Sequence, residues 1–212
     1  MLIFAGLGNP GAKHELNRHN LGFMAVDAIA DRFGFGAERA RFLGLTRQAA
    51  IETPDGPVNV TLLKPQTFMN ESGRSVSDAM HFYKLTPADI VVFHDELDLA
   101  PGRFRMKTGG GAAGNNGVRS VAEWIGPDFR RARMGVGHPG EKERVLGHLL
   151  SNFAKDDMEW VGALCQACAE AAPLLAAGQD ERYQAEVLRL APAEKADPRQ
   201  SARDEAGKDG AL

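Results

Sequence analysis

The chain has 212 residues, 43% of them hydrophobic and 25% charged, with a formal net charge of −3, which suits one domain whose core needs neither disulfides nor a structural metal. No apolar run approaches the roughly 18 residues of a membrane span, and nothing near the first residues has the form of a secretory signal. The expectation is a soluble, cytoplasmic protein with no membrane partner.

A β-like run, Leu2 to Ala5, feeds into Gly6-x-Gly8-x-x-Gly11, a spacing at which glycine amides can approach a pyrophosphate. A dinucleotide loop passes directly into a helix, whereas here Asn9-Pro10-Gly11 reads as a turn and the next apolar period waits until Leu21. Between them stand His14, Arg18, His19 and Asn20. The glycines therefore read as shaping a tight loop around a reactive histidine. A dinucleotide-dependent oxidoreductase is the rival reading, but Asp27 and Asp31 fall inside a helical period and not at the end of a second strand, where an acid would take the ribose hydroxyls.

Leu21 to Phe33 is helical, with Phe23, Val26, Ala30 and Phe33 on one face. Phe42 to Ile51 and Val58 to Leu63 read as strands joined by the hairpin connection Pro54-Asp55-Gly56-Pro57. A helix follows from Glu71 to Tyr83, facing the core through Ser72, Val76, Ala79 and Tyr83, and Thr86-Pro87 breaks it. Ile90 to Phe93 is a short apolar strand ending at His94-Asp95-Glu96. The alternating Arg103 to Lys107 is a strand with one apolar and one basic face. The glycine-rich loop Gly109 to Gly117, a helix from Val118 to Ile125 and a strand from Ala132 to Val136 follow.

Helices from Asp156 to Ala177, disturbed at Pro173, and from Glu181 to Leu190 complete the ordered part. Cys165 and Cys168 lie inside the first of these, so the CxxC reads as two small packed residues and not as a redox pair or half a zinc site. Residues 191 to 212 carry no large apolar side chain before the terminal Leu212 and read as a disordered tail. The whole is an α/β pattern: a single compact globular domain over residues 1 to 190, with a mixed central sheet flanked by helices.

Charge is unevenly spread. From Arg103 to Arg144 there are nine basic residues against four acidic ones, an excess that fits either phosphate contacts or a solvated basic surface. Ligands in open α/β sheets bind beyond the carboxyl ends of the parallel strands. Four polar loops follow strands here: Asn9 to Asn20, Gln66 to Asn70, His94 to Asp98 and Gly109 to Asn116. If those strands share a direction, His19, Asn70, Asp95 and Asn116 meet. One imidazole, one carboxylate and several amides, without an evident serine or cysteine nucleophile, suit a general base acting on water.

The segments GLGNPG with RHN (Gly6 to Asn20), KPQTFMNESG (Lys64 to Gly73), HDELDLAPG (His94 to Gly102), GGG…NNG (Gly109 to Gly117) and GVGHPG (Gly135 to Gly140) resemble bacterial peptidyl-tRNA hydrolase, in order, from residue 1 to about residue 190. The resemblance implies a compact monomeric α/β globule. It also implies a metal-independent esterase, needing no cofactor, that cleaves the bond between a peptide's carboxyl carbon and the 3′-terminal ribose of tRNA, recycling tRNA and clearing peptidyl-tRNA lost from ribosomes.

Carried over by position, His19 is the base that deprotonates water and Asp95 holds its ring. Asn9 reads the peptide main chain, and Asn70 and Asn116 hold the substrate's 3′ end and the water or oxyanion. Phe68 and Met69 line the crevice, Phe68 against the terminal nucleotide. Arg105, Lys107, Arg131 and Arg133, with Arg103, face the acceptor-stem phosphates. The sequence departs from the family pattern at His14, a substrate-binding position usually held by tyrosine, and at Ala112 and Asn115, where histidines are common. Two further readings stand beside this one: an RNA-binding module without activity, using residues 103 to 144, and a metal hydrolase using His94, Asp95, Glu96 and Asp98.

Overall fold

Strand β1 (Leu2–Gly6) lies in the middle of a seven-stranded sheet. The computed structural model describes residues 1–192, so the tail expectation for the remaining residues lies outside the described residues. Its elements continue with α1 (Leu21–Arg32), β2 (Arg39–Arg41), β3 (Gly44–Thr53), β4 (Gly56–Pro65), α2 (Ser72–Phe82), β5 (Ile90–Glu96), β6 (Phe104–Thr108) and α3 (Asn116–Ile125). Then come β7 (Arg130–Gly135), α4 (Val145–Leu150), α5 (Asp157–Glu170), α6 (Ala172–Ala176) and α7 (Asp180–Leu190). Strand order is β2-β3-β4-β1-β5-β7-β6. The neighbouring pairs β4/β1, β1/β5 and β5/β7 are parallel, and β2/β3, β3/β4 and β6/β7 are antiparallel, which makes the expected mixed sheet.

Side-chain alternation along the central strands divides the core in two. Phe4, Val91 and Phe93 pack with α1, α5, α6 and α7 on one face, while Ile3, Ala5, Ile90 and Val92 pack with α2 and α3 on the other. The hairpin forms with Thr53 opposite Gly56, leaving Pro54-Asp55 as its two-residue turn, and Gly56 takes the positive φ that the turn requires. Cys165 and Cys168 are free, buried residues of α5. Burial pushes the Cys165 thiol well above its ordinary range and that of Cys168 up to about 12, so neither is poised as a thiolate.

Several expectations are corrected. β5 does not stop at Phe93 but runs through His94, Asp95 and Glu96, all buried, because its register with β7 supplies ladder partners as far as Gly135. The buried face of α1 is Gly22, Ala25, Val26, Ile29 and Ala30, with Phe23 and Phe33 only partly covered. Its rotation is set by backbone proximity: a Cβ on Gly22 would lie 2.2 Å from the Phe93 carbonyl oxygen and 2.5 Å from the Leu7 nitrogen. The long helix expected from Asp156 divides into α5 and α6, with Pro173 in the first turn of α6, where its missing N–H costs nothing. The short elements β2 and α4 carry too few residues to show a period.

The tight approach at Gly22 gives a direct test. Gly22→Ala is expected to lower unfolding free energy by about 3 kcal/mol. Gly147→Ala, in open space on α4, is expected to leave it unchanged or raise it by about 0.5–1 kcal/mol. Equal denaturant midpoints for Gly22→Ala and the parent chain would contradict the packing described.

Candidate active site

The segment between β1 and α1 is built from two short 3-10 turns, Ala12–His14 and Arg18–Asn20. It is held from outside by the 151–157 segment. Asn17 bridges Asn152 in antiparallel fashion, and its Nδ2 donates to Asn152 Oδ1 at 2.7 Å. The Arg18 guanidinium donates to Ser151 Oγ, the Asn152 carbonyl and Asp157 Oδ2 at 2.8, 2.9 and 3.0 Å. This clamp was not foreseen from sequence, since its partners lie more than a hundred residues away and carry no local pattern.

His19, which follows Arg18, is 7% exposed and faces Asp95, which is 2% exposed. The distance from His19 Nδ1 to Asp95 Oδ1 is 2.9 Å. A carboxylate only accepts, so Nδ1–H donates and the lone pair of the neutral ring resides on Nε2. That nitrogen makes no hydrogen bond among the described residues and is not sealed from solvent. Burial works to lower the His19 pKa but is outweighed by the charge and hydrogen bond of Asp95, leaving it above the ordinary histidine value. For Asp95, burial works upward and is outweighed chiefly by His19 and then by His94, so its carboxyl stays below the usual range.

Asn9 is fixed from two directions. Its backbone N–H donates to Asn20 Oδ1 and its carbonyl accepts from Asn20 Nδ2, both at 2.9 Å, while its Oδ1 accepts from the Met69 N–H at 3.0 Å. Asn9 Nδ2 has no acceptor among the described residues and is left as a donor. Met69, expected as a crevice side chain, is instead 5% exposed within the core beneath α3, and its contribution here is the amide that holds Asn9. Phe68 is 65% exposed, and Asn70 is exposed in the turn that follows. His14 does not join His19 and Asp95: its Nδ1 pairs with Asn17 Oδ1 at 2.8 Å.

Asn116 and Asn115 exchange the positions that sequence order suggested. β6 runs antiparallel to β7, with Thr108 opposite Arg130, so the Gly109 loop starts from the opposite end of the sheet to the loops after β1, β4 and β5. It climbs back to the start of α3, where Asn115, not Asn116, donates from Nδ2 to Asp95 Oδ1 and to the Asp95 carbonyl, each at 3.2 Å. Asn116 is exposed in the first turn and accepts from Arg119 at 3.3 Å. An Asn directly before an apolar helical period is a cap signal, and that signal was available at Asn115.

The opposite side of the β5 end is cationic. His94 lies opposite Arg133 on β7, and Arg133 opposite Arg105 on β6; Arg131 lies opposite Lys107. These residues share one face of the pleat. A cavity of about 310 Å³ opens there, lined by Lys107, Arg131 and Arg133 together with His94, Glu96 and Asp98. It is separate from the His19–Asp95 side because alternation sends His94 and Glu96 one way and Asp95 the other. The metal-hydrolase reading needs those side chains together, and the pleat splits them: Asp95 pairs with His19, and Glu96 accepts from Arg133 Nε at 2.8 Å.

His94 is fully enclosed, with burial lowering its pKa; its Nδ1–H donates to the Asp95 carbonyl. Arg131, expected on the phosphate surface, is 2% exposed and donates to the Gly110 and Gly111 carbonyls, both at 2.7 Å. Its guanidinium props the glycine loop. Arg105 and Lys107 are exposed and have no carboxylate partner within salt-bridge distance among the described residues.

Gly6 and Gly8 are not a phosphate cradle. A Cβ at Gly6 would lie 2.3 Å from the Gly22 carbonyl oxygen, and one at Gly8 2.8 Å from the Phe23 ring. They allow α1 to lie on the strand ends, and α1 itself begins only at Leu21, too far along the chain for the dinucleotide arrangement. No helix among the described residues is long and apolar enough to cross a membrane.

Comparison with known proteins places the whole chain. The sequence model of one family, Peptidyl-tRNA hydrolase, matches residues 3–195. The chain is 68% identical over 203 residues to the peptidyl-tRNA hydrolase of Phenylobacterium zucineum, covering 96% of this chain and 97% of that one. It is 60% identical to that of Caulobacter vibrioides, covering 97% and 100%. Among solved structures, peptidyl-tRNA hydrolase from Acinetobacter baumannii superposes with a TM-score of 0.84 at 38% identity, covering 91% of this chain and 97% of that one. With its family model matched over residues 3–195 and relatives 60% and 68% identical along nearly their whole length, the chain belongs to the peptidyl-tRNA hydrolase family.

Proposed function

We propose how this chain carries out the ester hydrolysis that its family membership assigns to it. The observation that carries the proposal is the buried His19–Asp95 hydrogen bond, which leaves His19 Nε2 free. Nε2 takes a proton from a water molecule as the water oxygen attacks the ester carbonyl carbon. The tetrahedral oxyanion then collapses, the bond to the ribose oxygen breaks, and the imidazolium returns its proton to that oxygen. The products are a peptide acid and tRNA with a free 3′ end. Asp95 keeps the ring in its reactive tautomer and stabilises the imidazolium.

The exposed amides of Asn70 and Asn116 hold the 3′ end and the developing oxyanion, where fixed donors contribute most. Exposed Phe68 offers a face to the terminal base, a stacking contact worth about 1–3 kcal/mol. Asn9 Nδ2 donates to a peptide carbonyl. Because Asn9 Oδ1 is engaged by Met69, the residue acts here as a donor, and it prefers substrates with a second peptide unit over free aminoacyl-tRNA. His14, on the same loop and paired with Asn17, contributes to substrate binding from there.

The acceptor stem lies on the β6–β7 edge. Like charges directly opposite one another across a strand pair destabilise a sheet, yet Arg105 faces Arg133 and Lys107 faces Arg131. A phosphate backbone relieves that repulsion, and contacts of this kind position without reading sequence, as an enzyme accepting every tRNA requires. Arg105, Lys107 and Arg133 supply these contacts, while Arg131 acts through the loop it supports. We infer a monomer working in the cytoplasm, where peptidyl-tRNA arises. A non-catalytic RNA-binding module would have no use for a buried histidine–carboxylate pair.

His19→Ala is expected to lose about a hundred- to ten-thousandfold in turnover while still binding tRNA. In the parent enzyme the rate should rise with pH along an acid limb centred above the ordinary histidine value of about 6.5, because Asp95 favours the protonated ring. Asp95→Asn should move that limb down and lower the plateau. Full activity in His19→Ala, or a limb below the ordinary value, contradicts the mechanism.

Asn9→Ala should narrow the preference for N-acetyl-aminoacyl-tRNA over unblocked aminoacyl-tRNA, read as the ratio of their kcat/KM values. An unchanged ratio removes Asn9 from that role. For Lys107→Ala, KM should rise and its salt dependence weaken with turnover nearly intact; a large fall in turnover would place Lys107 at the reacting centre instead.

A further inference from the structure

Asn115 has two partners that do not belong together in an ordinary helix cap. Its Oδ1 accepts from the backbone N–H groups of Gly117 and Val118 at 3.0 and 3.1 Å, closing the start of α3. Its Nδ2 donates at 3.2 Å to Asp95 Oδ1, the same oxygen that receives the His19 Nδ1–H, and at 3.2 Å to the Asp95 backbone carbonyl. The amide cannot be turned over. A flip would set its NH₂ against two N–H donors and its oxygen against a carboxylate. The cap therefore determines which atom faces Asp95.

We propose that Asn115 is a positioning residue for ester hydrolysis, acting through Asp95 to hold the His19 ring in line for water activation. A carboxylate with one partner can still rotate about its terminal torsion, which is broad for Asp. Two donors converging on Oδ1 remove that freedom. The helix start is itself anchored: Gly117 is pressed so closely against Met69 and Leu7 that a Cβ there would lie 2.4 Å from Met69 Sδ and 2.9 Å from Leu7 Cδ1. The loop before Asn115 is held by Arg131 through Gly110 and Gly111. Asn115 thus joins a rigid element to the oxygen that orients the base.

The contact also has an electrostatic consequence. A donor on Oδ1 draws off part of the charge that favours imidazolium, so Asn115 moderates the basicity that Asp95 confers on His19. The surrounding titratable and charged groups remain the same when Asn115 is changed. They are His94 and Glu96 on β5, Arg131 and Arg133 on β7, His148 on α4, and the Arg18–Asp157 pair beside His19.

The inference rests on His19 acting as the base, so His19→Ala is measured alongside. The main variant is Asn115→Ser. Serine caps a helix about as well as asparagine, but its side chain is one bond shorter and does not reach Asp95. Expected are a fall in kcat of about tenfold, an unchanged KM, and an acid limb moved to higher pH. Asn115→Asp keeps a cap acceptor and replaces the donor with a second carboxylate oxygen, so kcat should fall further and the limb rise more.

Unfolding midpoints show which variant is folded at assay temperature. Because both variants keep a cap, a residue that only caps α3 would leave the midpoint, kcat and limb of each at the parent values. If His19→Ala is inactive and either folded variant keeps both the parent kcat and the parent limb, the role of Asn115 is overturned alone. Parent-level activity in His19→Ala overturns the base assignment and this inference with it.

Discussion

Position 22 has no room for a side chain, and the placement of the active site depends on that. Gly22 lets α1 rest on the backbone of Leu7 and Phe93, and Gly6 meets it from the strand side. The turn carrying His19 immediately precedes this contact, and Asp95 lies two residues beyond Phe93 on β5. Seating the helix on the strand end therefore brings imidazole and carboxylate into register. The remaining freedom of the turn is taken up from outside by the Arg18 clamp and the Asn17–Asn152 bridge. An acid–base pair assembled from residues 76 positions apart thus rests on backbone contacts and not on loop conformation alone.

The end of β5 serves two kinds of chemistry because its side chains alternate. Asp95 turns to the α1 side and pairs with His19; His94 and Glu96 turn to the α3 side, where Glu96 steadies Arg133 among the cations of β6 and β7. Both arrangements are costly to folding. An ionised carboxylate buried without partners would be strongly destabilising, and here it is answered by His19 and Asn115. Facing cations on neighbouring strands repel, and only part of that repulsion is answered within the protein.

Much of this was legible in the chain because the signals were local. Periodicity located α1, α2 and α7, the β3–β4 hairpin and the basic edge strand, and the Arg18-His19-Asn20 and Asp95 motifs pointed to two side chains that the fold joins by a hydrogen bond. Where the reading failed, a distant partner had overridden a local rule. His94-Asp95-Glu96 reads as a loop because charged residues seldom lie in a central strand, yet β7 supplies the ladder and His19 and Arg133 supply the counter-groups. Arg131 reads as surface charge, but two loop carbonyls draw it inward. Met69 reads as part of a crevice, and it is the Gly117 contact that buries it.

By itself the sequence determined the element types, the α/β class and the two motif-bearing loops, and it singled out His19 and Asp95 as the candidate base and orienting acid, since each follows from spacing or from residue chemistry within a short window. Only the tertiary structure decided which asparagine touches Asp95. That choice depends on β6 running antiparallel to β7, which makes the glycine loop return from the far end of the sheet and delivers Asn115 to the carboxylate at the start of α3. Strand direction is a property of pairing between distant segments, and a side chain's free atoms are known only when its partners are. Asn9 offers a donor alone because Met69, sixty residues on, already occupies its acceptor.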